Sequence, residues 1–281
     1  MNPVYLSTGA FTGRVNGRNW RFAIEYAERL DCDGYELLIF PEFEEKIDEL
    51  VREYRAAGLR IPVVHAEKHI GDLMSSPGAD AMAEAMELAR RNFETAAALY
   101  RTGVSPEGHA KVVVHCWGIP DSDTYFDEIA ERVGRLSELA ERCGVEMLPE
   151  NSFCVHGSPK AHFEALAARY PKQGFIVDTR CAAFHNELPE LVRSEVFRTR
   201  VRHIHINDYS GGYRDWDAMY PILQPGRGNI DWNAFFEGLR AIPYAHSVTL
   251  EAPSMRPDGV DCATLNESLG RIRRALRGEP F

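Results

Sequence analysis

Short apolar runs alternate with helix-patterned stretches eight times along this chain, and that alternation restricts its fold more than any other feature. The runs at 4–7, 34–39, 60–65, 111–115, 145–150, 174–178, 202–206 and 247–251 have the length and apolar density of buried parallel strands. Helical spacing marks 19–30, 42–57, 80–100, 124–143, 159–170, 188–197, 231–240 and 263–276. Ala57-Gly58 and Cys143-Gly144 place glycine where a helix should stop ahead of a strand. Eight alternations favour closure over an open sheet, and no Gly-x-Gly-x-x-Gly follows the first strand, which argues against a dinucleotide-binding doubly wound sheet. No Pro/Gly/Ser-rich linker divides the chain, so the expectation is a single-domain (β/α)₈ TIM barrel over 1–281.

Charge and cysteine usage narrow the function. The formal net charge is −10 and no Lys/Arg run forms a stripe that could track a phosphate backbone, so nucleic acid is not an expected partner. No apolar stretch reaches the length of a membrane span, and the amino terminus lacks a basic segment followed by an apolar one, so the expected location is cytoplasmic. Six cysteines without a Cys-x-x-Cys pair read as reduced thiols. Cys116 and Cys181 stand out because each adjoins a candidate site residue.

Four strand candidates in the second half end on a group that can bind a metal: Glu150, Asp178, His205 and Glu251. A polar group at the carboxyl end of a barrel strand opens onto the face where ligands bind. The first three follow one another at the interval of one strand–helix unit, which puts them on adjacent strands. Three carboxylates and one imidazole there would make an oxygen-rich divalent-metal site. The longer interval from His205 to Glu251 contains the loop 207–228, with Tyr209, Tyr213, Trp216 and Tyr220, which reads as a lid or a substrate wall. A single acid at a strand end is more often a helix cap or ion-pair partner than a ligand; four in register outweigh that reading. His203 is read as facing the helices, and His205 as facing inward.

At these positions the chain resembles the xylose isomerase-like barrel superfamily, which includes sugar and sugar-phosphate isomerases and epimerases, inosose dehydratases and abasic-site endonucleases. The motifs are Leu148-Pro149-Glu150-Asn151, Ile176-Val177-Asp178-Thr179, His203-Ile204-His205-Ile206-Asn207-Asp208, Gly226-Arg227-Gly228-Asn229-Ile230-Asp231 and Thr249-Leu250-Glu251. The resemblance implies that Glu150, Asp178, His205 and Glu251 ligate one divalent ion, Mn²⁺ or Mg²⁺ ahead of Co²⁺ or Zn²⁺. It implies that Glu150 and Glu251 transfer protons next to a sugar carbonyl, through an enediolate that the metal stabilises. His65, His115, Trp117, Arg180 and Arg227 become candidate substrate contacts, with packing, ion pairing or loop anchoring as their alternatives. Glu36 resembles a recurrent acidic position and is read as structural. The implied partner is a small sugar or sugar phosphate, and such barrels often form homodimers.

Two departures from the superfamily pattern matter. Cys181 stands where the endonucleases and several epimerases carry a histidine after the strand-six aspartate, and 213–217 supplies no Asp-x-His. Two ligands of a three-zinc cluster are therefore absent, which sets DNA cleavage aside and favours one metal. The expected activity is a metal-dependent sugar isomerase or epimerase. An inosose-type dehydratase is the alternative, and a non-catalytic sugar-binding protein ranks below both.

Overall fold

The structure, a computed structural model, describes residues 2–103, 108–118 and 121–281. Its eight main strands are β1 (Val4–Ser7), β2 (Tyr35–Leu38), β3 (Val63–His65), β4 (Ala110–His115), β5 (Val145–Glu150), β6 (Phe175–Asp178), β7 (Val201–Ile206) and β8 (Ser247–Leu250). They follow one another in chain order around a closed parallel barrel, as the alternation predicts. Two further short strands, β9 (Met255–Arg256) and β10 (Gly259–Val260), form an antiparallel pair after β8. The α-helices are α1 (Phe22–Glu25), α2 (Ile47–Ala56), α3 (His69–Ser75), α4 (Ala79–Leu99), α5 (Phe126–Arg142), α6 (Pro159–Arg169), α7 (Thr179–Phe184), α8 (Leu188–Arg193), α9 (Glu195–Arg200), α10 (Trp232–Ala241) and α11 (Cys262–Leu276). None of the described helices is long and apolar enough to cross a membrane.

Two compact units can be distinguished: Met1–Glu36 with Val177–Phe281, and Leu37–Ile176. In the first, β1 pairs with β8 and β8 with β7, in a register that sets His205 opposite Thr249 and Ser7 opposite Glu36. In the second, β4 lies between β3 and β5, and His115 is level with Glu150. All residues of β1, β2, β3, β6 and β8 are buried, which explains why their sequences run apolar without alternating. Gly58 and Gly144 take left-handed backbone angles, φ 70° and 73°, just after α2 and α5, where a side chain would be strained.

Two helical expectations need correction, and two short helices were not expected. The segment 19–30 forms the four-residue α1 and a 3₁₀ turn at Ala27–Arg29, because Tyr26 leaves the helical region at φ −106°, ψ 5°. The segment 188–197 divides at Ser194, whose side chain caps α9 by accepting from the Phe197 N–H. The short helices α3 and α7 lie outside every predicted segment, since six or seven residues hold too little of a helical period to show in a sequence.

Packing in the second unit supports the end of β4. The Arg132 guanidinium, on α5, donates to Met74 O at 2.7 Å and Ser76 O at 2.6 Å, fixing the link between α3 and α4. Helix α3 then approaches β4 through Gly71, where an added Cβ would lie 2.8 Å from His115 Cβ and 3.1 Å from Trp117 O. Gly71→Ala is expected to destabilise the protein by about 1–3 kcal/mol, because a backbone carbonyl cannot move aside as a side-chain tip can. A urea melt with an unchanged midpoint would contradict this.

Candidate functional site

Asp178, His205 and Glu251 sit at or just past the ends of β6, β7 and β8, and each offers a ligand atom within 4.8 Å of those of the other two. All three are buried. Asp178 Oδ1 caps α7 by accepting from the Cys181 N–H at 2.7 Å, and Oδ2 accepts from Asn207 Nδ2 at 2.7 Å. Its cap role is thus real, and each oxygen keeps a further lone pair. The Thr179 hydroxyl binds His205 O at 3.0 Å and Asn207 O at 2.7 Å, joining the β6 exit to that of β7.

His205 is held from both sides. Nε2 lies 2.8 Å from Glu36 Oε1, and Nδ1 lies 3.1 Å from Glu251 Oε2. Burial would raise the Glu36 pKa, but His205 and His203 outweigh it and hold the carboxyl far below the usual range. An ionised carboxylate only accepts, so the Nε2 proton of His205 points to Glu36. Nδ1 then faces the Glu251 carboxylate, and a proton or a cation lies between the two atoms. Adjacent ligands of a Mg²⁺-sized ion are separated by roughly 3 Å, the spacing of His205 Nδ1 and Glu251 Oε2. The donor set therefore fits a hard divalent ion, and Asp178, His205 and Glu251 are the residues here that could hold it.

His203 corrects the sequence expectation. Residues two apart on a strand share a face, and His203 accordingly points to the same carboxylate as His205, its Nε2 2.9 Å from Glu36 Oε2. Nδ1 lies 2.8 Å from Ser247 Oγ, Nε2 lies 2.9 Å from Thr249 Oγ1, and Tyr5 stacks on the ring. Glu36, His203 and Asn207 are thus part of the site's framework. The sequence signals for them were the recurrent acidic position that Glu36 resembles, the two-residue spacing of the histidines and the motif containing Asn207.

Glu150 lies in the second unit with His65 and His115, each offering a ligand atom within 4.8 Å of the others. His115 Nε2 is 2.7 Å and His65 Nε2 3.4 Å from Glu150 Oε2. His65 Nδ1 is 2.8 Å from Ala66 O and so donates there, while its Nε2 faces Glu150. Burial lowers the His115 pKa despite the opposing attraction of Glu150.

The other candidates are placed differently. Trp117 is 0% exposed, edge-on to Phe126 and His162, with Nε1 donating to Ser152 O at 3.0 Å. Arg180 is buried and donates from Nη1 to Met219 O at 2.7 Å. Burial works against its charge, but Cys181, Asp178, Glu251 and Tyr220 together keep its pKa above the ordinary value. Arg227 is exposed on the turn whose backbone N–H donates to Gln224 O. All six cysteines are free, and burial raises the Cys116 pKa well above the ordinary thiol range.

Asp208 ties both ends of the loop 207–228. Its carboxylate accepts from the N–H groups of Tyr209 at 2.8 Å, Gly226 at 2.7 Å and Ile230 at 3.2 Å, and from Trp232 Nε1 at 2.8 Å. Tyr209 is buried, whereas Tyr213, Trp216 and Tyr220 are 68%, 40% and 72% exposed. Asp208→Ala strands four donors and is expected to cost about 2–4 kcal/mol. It should also speed tryptic cleavage after Arg214 and Arg227, and unchanged cleavage would show that the loop does not depend on this carboxylate.

Comparison with known proteins places these features in context. The xylose isomerase-like TIM barrel family matches the chain over residues 24–276. No curated protein matches the sequence significantly. Solved structures with a similar fold include an L-ribulose 3-epimerase, at 16% identity and TM-score 0.73, covering 99% of this chain and 95% of that one. A D-allulose 3-epimerase from Methylomonas sp. in complex with D-allulose aligns at 16% identity and TM-score 0.70, covering 98% and 97%. A 3-keto-D-glucoside 4-epimerase from E. coli aligns at 19% identity and TM-score 0.68, covering 97% and 99%.

Proposed function

We propose that this chain, which belongs to the xylose isomerase-like TIM barrel family, is a divalent-metal-dependent sugar isomerase or epimerase. The observation that carries this reading is the trio of Asp178, His205 and Glu251, with the imidazole Nδ1 and a carboxylate oxygen facing each other at 3.1 Å. Glu150 ends β5, the strand before β6 in barrel order, and is proposed as the fourth ligand. The epimerase folds of the solved neighbours are compatible with a sugar substrate.

A divalent ion bound by these residues supplies Lewis-acid stabilisation of the charge that develops on the substrate oxygens. Glu150 and Glu251 perform the proton transfers, one taking the proton from the carbon beside the carbonyl and the other returning it when the configuration is inverted. His65 and His115, both against Glu150, orient that carboxylate and offer hydrogen bonds to substrate hydroxyls. Arg180 keeps a permanent positive charge near Asp178 and Glu251 and anchors the loop that walls the substrate.

The test is solvent-deuterium incorporation into a panel of ketohexoses that includes D-allulose, with Mn²⁺ present. Exchange is expected in the wild type, removed by EDTA, restored by Mn²⁺, and reduced at least about 10²-fold by Glu150→Gln or Glu251→Gln. Turnover that survives both substitutions would eliminate the proposed roles. Release of water from the product would move the enzyme to the dehydratases.

A further inference from the structure

A fully buried carboxylate with no part in the chemistry described above is costly to desolvate, and it persists only where its partners make the charge useful. Glu36 is such a group. It is completely buried and meets two imidazoles with its two oxygens, Oε1 at 2.8 Å from His205 Nε2 and Oε2 at 2.9 Å from His203 Nε2. Around the second imidazole the arrangement closes, with Ser247 Oγ on Nδ1 at 2.8 Å and Thr249 Oγ1 2.9 Å from Nε2. Only one nitrogen of these rings, His205 Nδ1, is directed at the cluster of Asp178 and Glu251.

We propose that Glu36 is a positioning residue that fixes His205 as the Nε2–H tautomer and thereby presents the Nδ1 lone pair to the cation, with His203, Ser247 and Thr249 holding Glu36 in place. The inference rests on the metal-dependent reading of the site and adds the residues that set its affinity. A neutral imidazole has one donor and one acceptor nitrogen, so an obligate acceptor at Nε2 leaves Nδ1 bare. The negative charge behind the ring also makes Nδ1 a stronger donor to metal, and loss of such a partner typically costs 10–100-fold in metal affinity. Without the carboxylate, the proton could settle on Nδ1, where Glu251 Oε2 would accept it and the ring would no longer ligate.

His203 is part of the device because a lone buried carboxylate could rotate. Two imidazole N–H groups, one on each oxygen, leave it one orientation. Glu36 Oε2 can only accept, so the Nε2 proton of His203 points to it and Nδ1 is left to accept from the Ser247 hydroxyl. Both histidines therefore carry their protons toward the same anion. This requires that they share a face of β7, as residues two apart do.

Two measurements test the proposal. Calorimetric titration of the metal-free protein with Mn²⁺ is expected to show binding in the wild type and a 10- to 100-fold weaker constant in Glu36→Gln, at a melting temperature that shows the variant is folded. Equal Mn²⁺ affinity in the folded variant overturns the proposal. Long-range ¹H–¹⁵N correlation of the imidazoles in the metal-free wild type is expected to assign Nε2–H to His205. An Nδ1–H tautomer overturns the proposal whether or not Glu36→Gln folds. If the wild type binds no Mn²⁺ at all, the metal-dependent reading of the site fails first, and the proposal built on it fails with it, whatever tautomer is found. Binding in the wild type combined with undiminished binding in the variant condemns Glu36 alone.

Discussion

One buried anion organises the compact unit formed by Met1–Glu36 and Val177–Phe281. Glu36 lies where no water reaches it, and its charge is balanced by directed N–H groups from two rings on one strand. Such an arrangement adds little net stability compared with an apolar replacement, since desolvation consumes most of the Coulombic gain. What it provides is orientation. Once the carboxylate is fixed, the inner face of β7 is fixed, and with it the direction in which His205 presents its second nitrogen. The hydroxyls of Ser247 and Thr249 extend the same order to β8, so the network aligns two neighbouring strands as well as two rings.

The candidate ligands show how structural and chemical demands can fall on the same atoms. Asp178 caps a six-residue helix and is held by Asn207, yet each of its oxygens retains acceptor capacity. Glu150 is approached by two histidines, one of which is committed to a backbone carbonyl through its other nitrogen. In both places electron-rich atoms are held together by bonds to backbone and neighbouring side chains. Repulsion among them is thus prepaid by the fold, the condition under which a bound cation gains most from their charge.

Much of this was legible in the sequence, for identifiable reasons. The strands at 4–7 and 145–150 coincide with β1 and β5 because runs buried along all or nearly all of their length leave a dense apolar signature. The long helices α4 and α5 were equally plain, being several turns of strong helix formers. Short helices escaped notice, since α3 and α7 are set by tertiary contact and a single cap, with no periodic stripe to show. The reading of His203 failed for another reason: the two-residue repeat of a strand was applied with the wrong sign, which hid the one face that matters. The role of Glu36 was illegible because its partners are more than 160 positions away in the chain.

The loop 207–228 is closed by Asp208. Both ends are knotted to one carboxylate, and the middle is tied through Met219 O to Arg180. Between those knots, Tyr213 and Tyr220 are largely exposed, while Trp216 meets the buried Phe184 edge-on at 4.8 Å. Such a segment behaves as an interchangeable cassette on a rigid frame: its outward aromatic residues can be exchanged while the barrel strands keep their places, so a descendant enzyme could acquire a new appetite without refolding its centre.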